Sequence, residues 1–237
     1  FEADESDKSL LKYCPDYSVI LNMGTDHYSL DDLSNVFSEF VSKTSKGVVV
    51  EQKAYEMIDK RVPINKFIYF FGADQESRKK YKYWQMAKYG ADGGNFSAEI
   101  HFPDQYSKTI SLPCPGFHSA MNASAILALL EMIGIEKEKA MSAISTFKGV
   151  WRRFEYHGRM FSGAMIYDDY AHNVEKITSC IKTAQEIVNG RVFAVFQPHG
   201  FKPLEFMSAP LFKSLEKTLW EDDVFIFLPV FYAGGSS

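Results

Sequence analysis

The chain has 237 residues, of which 46% are hydrophobic, 15% aromatic and 24% charged. That is enough for one large or two small domains and too apolar for a disordered protein. Thirty acidic residues against twenty-six basic ones leave a net charge of −4, which excludes a globally basic binder of nucleic acid or anionic membranes.

The most apolar runs, 125–130 and 224–233, fall short of the ~20 residues that a membrane-spanning helix needs, so no membrane insertion is expected. Cys14, Cys114 and Cys180 are odd in number, widely spaced and outside any C-x-x-C pattern. They read as reduced packing thiols of a cytosolic protein. The opening Phe-Glu-Ala-Asp has neither an initiator Met nor a signal-peptide layout, and reads as a cut into a longer protein.

Along the chain, β-branched and aromatic runs predict strands at 17–22, 47–50, 66–71, 98–102, 164–168, 191–196 and 223–228. Helical patterns fall at 30–41, 120–133, 137–147, 174–188 and 211–219. The clearest has Ala120, Ala123, Ile126, Leu127, Leu130 and Ile133 in one stripe, with Gly134 as a stop. The segment 75–89 mixes Lys, Arg, Tyr and Trp and is expected to be a solvated helix or excursion without function. Strands alternating with helices predict an α/β fold with largely parallel sheets, whose ligand sites lie at the carboxyl ends of strands. The last ninety or so residues read as strand, helix, strand, helix, strand. This doubly wound half-sheet sets a boundary near Gly149 and divides the chain into 1–148 and 149–237.

Four groups could carry chemistry. Glu2, Asp4, Glu5 and Asp7, with Asp26-His27 after the first strand, could converge on a divalent cation or simply cap and solvate helix starts. Gly116-Phe117-His118-Ser119 leads into a helix whose Asn122 could read a purine edge; by local sequence alone a plain glycine loop and polar helix start is the simpler reading. Arg152 and Arg153 near the boundary, with Asp168 and Asp169 at a strand end, could hold phosphate, base and ribose. They could also be surface ion pairs, with Asp169 or Asn173 as a helix cap. His199, after Gln197-Pro198, sits in a loop beyond an apolar strand, a place for a substrate contact or an exposed ring.

Together and in order these groups resemble the Mur ligases, ATP-dependent amide-forming enzymes of peptidoglycan precursor synthesis, and within them the alanine-adding branch. The resemblance is carried by Glu2 to Asp7, Asp26-His27, Gly116-x-His118 with Asn122-Ala123, Gly149-Val150-x-Arg152-Arg153-Phe154-Glu155, Asp168-Asp169-Tyr170-Ala171-His172 and Phe196-Gln197-Pro198-His199. It implies the distal part of a central ATPase domain followed by a Rossmann-like C-terminal acceptor domain. By the same resemblance, Glu2 and His27 bind Mg²⁺, Asn122 and Arg153 hold the nucleotide from opposite domains, and Asp168 contacts the ribose. Tyr170, His172 and His199 receive the incoming amine, and His199 joins Glu2 and His27 as catalytic. The implied cofactors are ATP and Mg²⁺. The implied partners are UDP-N-acetylmuramate and an amino acid or peptide, with no nucleic acid. Domain closure would assemble the site and shield an acyl phosphate from water.

Three departures stand out. The family's phosphate loop, ending in Gly-Lys-Thr, has no counterpart in the chain, so these residues alone are expected to be an inactive piece that also lacks the UDP-sugar domain. Ser119 stands where the family usually has asparagine. Gly200-Phe201-Lys202-Pro203 replaces the branch's acceptor arginines, and lysine cannot reproduce a bidentate guanidinium clamp. The acceptor can therefore differ from L-alanine, with murein tripeptide as one alternative and a non-catalytic nucleotide-binding relative as another.

Overall fold

The structure is a computed structural model that describes residues 3, 8–23, 29–58, 67–92, 94–188 and 190–231. The chain divides into two compact units. One comprises Phe1–Gly90, Phe96–Pro113 and His118–Phe147, the other Ala91–Asn95, Cys114–Phe117 and Lys148–Ser237.

In the first unit six strands follow one another across a single sheet: β1 (Tyr17–Ile20), β2 (Gly47–Glu51), β3 (Phe67–Gly72), β4 (Tyr83–Asp92), β5 (Asn95–His101) and β6 (Ser107–Leu112). The first four pair in parallel, with Tyr17 opposite Gly47, Gly47 opposite Phe67, and Phe70 opposite Tyr83; β5 and β6 pair antiparallel. Continuous apolar character marks a strand covered on both faces, and β2 shows why. Val48 and Val50 pack with Ile20, Val41 and Phe70, whereas Val49 packs with Phe71, Trp84, Ile100 and Leu127. The helices are α1 (Leu30–Lys43), α2 (Gln52–Met57), α3 (Phe117–Met132) and α4 (Lys137–Ser145). Ser29 caps α1 by accepting the Asp32 N–H at 3.2 Å, and Asp31 and Asp32 lie in its first turn with Lys43 in its last. That charge order suits the helix dipole.

Several expectations change here. Segment 75–89 is not a solvated excursion: after a short 3-10 turn at Glu76–Lys79 it enters β4. Tyr83 and Trp84 are fully buried, and Trp84 stacks on Tyr69 at 4.9 Å. Lys82 stays compatible with this by donating to Tyr69 Oη at 2.8 Å and pairing with Glu131 at 3.4 Å. Helix α3 begins at Phe117, three residues before its expected start, and its buried side is broader than the expected stripe. Ser124, Ala125 and Ala128 are buried, while Ile126 and Ile133 are exposed.

In the second unit β7 (Glu155–Arg159) and β8 (Met165–Asp168) form an antiparallel pair, with Glu155 opposite Asp168. Strands β9 (Phe193–Phe196) and β10 (Val224–Phe227) form a separate parallel pair. The expected order of strands and helices is present, but β8 pairs with β7 rather than continuing the parallel sheet. Helix α5 (Val174–Ile187) and helix α6 (Phe201–Thr218) bury Ile177, Ile181, Leu211 and Leu215 against one another. Helix α6 starts at Phe201 rather than 211; Pro203 lies in its first turn, where a missing N–H costs nothing, and Pro210 lies inside it. Asp223 ties the two strand starts together. It accepts from Val192 N–H at 2.7 Å, Gln185 Nε2 at 2.7 Å and Trp220 N–H at 2.9 Å. Burial pushes its carboxyl up, but these bonds outweigh it and hold the group below the usual carboxylate range. Among the described residues no helix is long and apolar enough to cross a membrane.

Candidate functional site

The turn that leads into β7 is built around two residues with left-handed backbone, Arg152 (φ 54°) and Phe154 (φ 49°), after Gly149 (φ 82°). The chain returns to this turn at the end of β8. Arg152 Nε donates to Asp168 Oδ2 at 3.1 Å, the Phe154 N–H donates to Asp169 Oδ2 at 2.8 Å, and the Tyr170 N–H donates to the Arg152 carbonyl at 2.9 Å. The Arg152 guanidinium also lies over the Tyr170 ring, 5.0 Å from its centre. The surface ion-pair alternative is thus realised for Arg152. A carboxylate has two oxygens and about four acceptor directions, so this bond leaves Asp168 capacity for a vicinal diol.

Tyr170 and His172 continue the cluster. Their rings meet edge to face at 5.3 Å. His172 Nδ1 lies 2.9 Å from the Tyr170 carbonyl, and Nε2 lies 3.4 Å from Lys176 Nζ. A carbonyl only accepts and an ammonium only donates, so these partners require the tautomer with its proton on Nδ1. Asn173 caps α5 by accepting the Lys176 N–H at 2.9 Å, which assigns the capping role to it rather than to Asp169. Behind the two aspartates, the Cys180 thiol is pushed up to about 12, first by burial and then by the negative charge of Asp169 and Asp168. Cys114 and Cys180 fit the expected packing role, but Cys14 is exposed; all three are free thiols.

His199 follows β9 in the Gln197-Pro198-His199-Gly200 loop. Its exposed ring meets Phe231 at 5.7 Å. The loop is tied to the segment after β10 by Gly200 N–H to Phe231 O at 3.1 Å, Phe231 N–H to Pro198 O at 2.8 Å and Gln197 Nε2 to Pro229 O at 3.2 Å. Gly200 has a φ of 89°, and a Cβ there would come within 3.4 Å of Pro203 Cδ. Asn122 is exposed on α3 in the first unit. Glu2, Asp26 and His27 lie outside the described residues. Among the described residues no group of three or more His, Cys, Asp or Glu side chains could hold a metal.

The structure therefore brings Arg152, Asp168, Tyr170 and His172 together, flanks Arg153 with two anchored residues, and places His199 at another strand end of the same unit. Sequence reasoning assigned no separate role to Glu155, which accepts the Arg152 N–H at 2.9 Å, and read Asp169 as a nucleotide contact or a helix cap rather than as an anchor of the turn. A carboxylate three residues beyond a turn amide was the available signal. A separate cleft of about 520 Å³ in the first unit is lined by Arg78, Lys79, Tyr83 and His101, among others. It contains none of the motif residues.

Residues 152–226 match the model of the family described as Mur ligase, glutamate ligase domain. The UDP-N-acetylmuramate–L-alanine ligase of Syntrophomonas wolfei is 30% identical over 241 aligned residues, covering 98% of this chain and 50% of the relative. By these matches the chain is similar to the Mur ligase family. Within it, the crystal structure of the UDP-N-acetylmuramate–alanine ligase of Thermotoga maritima shares the fold, with a TM-score of 0.70 at 24% identity over 95% of this chain and 54% of that one. The fold is shared too with the MurF ligase of Thermotoga maritima solved with ADP, with a TM-score of 0.67 at 17% identity over 96% of this chain and 60% of that one. The chain spans about half the length of the curated relatives it matches.

Proposed function

We propose that the chain is part of an ATP-dependent carboxylate–amine ligase of peptidoglycan precursor synthesis, working in the cytoplasm and joining an amine to UDP-N-acetylmuramate. The observation that carries this reading is the Arg152–Asp168 cluster. A strand-end carboxylate with spare acceptor capacity stands beside an anchored arginine turn, within the segment that matches the glutamate ligase domain. Residues 1–148 are the distal part of the ATPase domain in this reading, and 149–237 the acceptor domain.

The donor set of the second unit fits a nucleotide. Asp168 accepts from ribose hydroxyls, and the Arg153 guanidinium supplies planar donors to phosphate or base. ATP supplies the phosphoryl group that turns the substrate carboxylate into an acyl phosphate open to amine attack. Tyr170, His172 and His199 line the amine site. With Nδ1 donating to the Tyr170 carbonyl, His172 turns the acceptor nitrogen Nε2 outward, where Lys176 now donates; an ammonium group of the incoming amine can take the place of that lysine. Glu2 and His27, which lie outside the described residues, are the residues that would hold Mg²⁺. The amine is L-alanine or a similar amino acid, and Lys202 in place of the acceptor arginines supports murein tripeptide as the second reading.

The test uses the complete gene product that carries this chain. Arg153→Ala should raise the KM for ATP while leaving the KM for the amine unchanged, and His199→Ala should do the reverse. Unchanged constants for both substrates in both variants would remove these assignments.

A further inference from the structure

Arg153 sits between the two left-handed residues, and a side chain so placed inherits its direction from them. Non-glycine residues adopt this conformation only where their surroundings over-determine it. Here both backbone N–H groups end on carboxylates: Arg152 N–H on Glu155 Oε2 at 2.9 Å and Phe154 N–H on Asp169 Oδ2 at 2.8 Å. The Arg152 carbonyl takes the Tyr170 N–H at 2.9 Å, and the Arg153 N–H goes to the Val150 carbonyl at 3.1 Å. The Phe154 ring stacks on Tyr167 at 4.5 Å. Hydrogen bonds from amides to ionised carboxylates are stronger than neutral ones, so these two are the principal restraints on the turn.

We propose that Glu155 and Asp169 are positioning residues: they hold the 152–154 turn in its left-handed form and thereby fix the direction from which the Arg153 guanidinium meets a nucleoside diphosphate. The inference rests on the nucleotide role proposed above for Arg153. It divides the labour of the adjacent aspartates, since Asp168 turns its carboxylate to a side chain and Asp169 turns its own to the backbone.

The test is NMR of the complete gene product that carries this chain, selectively labelled at Arg, Phe and Ile, with ADP as the probe titrated into the millimolar range. Variants are Asp169→Ala, Asp169→Asn, Glu155→Ala and Arg153→Ala, and unchanged α5 resonances certify that each is folded. Asp169→Ala should abolish the positive-φ coupling at Phe154 and raise the ADP Kd about as much as Arg153→Ala does, roughly tenfold. Glu155→Ala should do the same at Arg152. Asp169→Asn keeps an acceptor oxygen and should restore both the coupling and most of the affinity. The proposal is overturned if Arg153→Ala weakens ADP while Asp169→Ala and Glu155→Ala bind like the unaltered chain, or if the left-handed couplings survive in both. Loss of the coupling without loss of affinity would reduce the two residues to structural ones and also overturn it. ADP binding that Arg153→Ala leaves unchanged, or no ADP binding by the unaltered chain, instead removes the nucleotide reading on which the inference rests.

Discussion

Arg152 separates backbone from side-chain contributions in the candidate site. Its left-handed φ of 54° costs a non-glycine residue about 1–2 kcal/mol relative to glycine. Its side chain repays part of that through the bond to Asp168 and the face of Tyr170. The pair is more than a third exposed on both sides, at 36% and 41%, so solvent screening limits it to about 0–1 kcal/mol. The cation–π contact adds roughly 0.5–1 kcal/mol. Arg152→Ala keeps the strain and loses both contacts, a destabilisation of about 0.5–2 kcal/mol. Arg152→Gly loses the same contacts but relieves the strain, and should come within about 0.5 kcal/mol of the unaltered chain. Because the chain holds two units, a single global melt does not report this difference. Amide exchange of Tyr170, whose N–H bonds the Arg152 carbonyl, reads it locally. Protection should fall roughly two- to thirtyfold in the alanine variant and little in the glycine variant. Equal loss in both would mean that the left-handed backbone carries no strain, and the account of the turn would fail.

Burial raises the Glu51 carboxyl pKa, although the group caps α2 by accepting the Ala54 N–H at 2.8 Å. A raised folded pKa means that the stabilising contribution is present below the unfolded value near 4.5 and is lost as pH rises through the folded one. Glu51→Gln, which keeps a capping acceptor, should therefore raise the urea midpoint of the first unit, followed by Trp84 fluorescence, at pH 7 and leave it unchanged at pH 4; a lower midpoint at pH 7 would show the charge to be favourable there. The Cys180 thiol, raised to about 12 from 9.0, stays protonated in the folded chain while the unfolded one ionises. Stability should thus fall as pH rises from about 9 toward 12, and Cys180→Ser should flatten that decline. At pH 8, mass spectrometry should find iodoacetamide on exposed Cys14 well before Cys180; equal labelling would contradict the burial.

What the sequence made legible follows from how directly each residue's chemistry matches its surroundings. Strand β2 was readable because Val48, Val49 and Val50 are apolar on both faces, and α1 because Ser29, Asp31 and Asp32 mark its start. Strand β4 was not: Lys79, Lys80 and Lys82 disguise a run whose Tyr83 and Trp84 are fully buried, and the aromatic pairing that accommodates Lys82 comes from β3 and α3, distant in sequence. The early start of α6 was hidden by Pro203 and Pro210, which read locally as breakers. The pairing of β8 with β7 depends on a strand whose Glu155, His157 and Arg159 carry no apolar alternation. In the candidate site, motif order pointed to Arg153 and Asp168. The anchoring by Glu155 and Asp169 needs the return of the chain from β8, which no local pattern encodes.

Phosphate release from ATP by the complete gene product is the decisive measurement for amine ligation. The gene product should be supplied with magnesium and UDP-N-acetylmuramate across a panel of amino acids and murein tripeptide. Release that requires both the sugar nucleotide and one class of amine, and that is lost in Arg153→Ala, is the result predicted here. Release indifferent to the amine, or none with any of them, would contradict it.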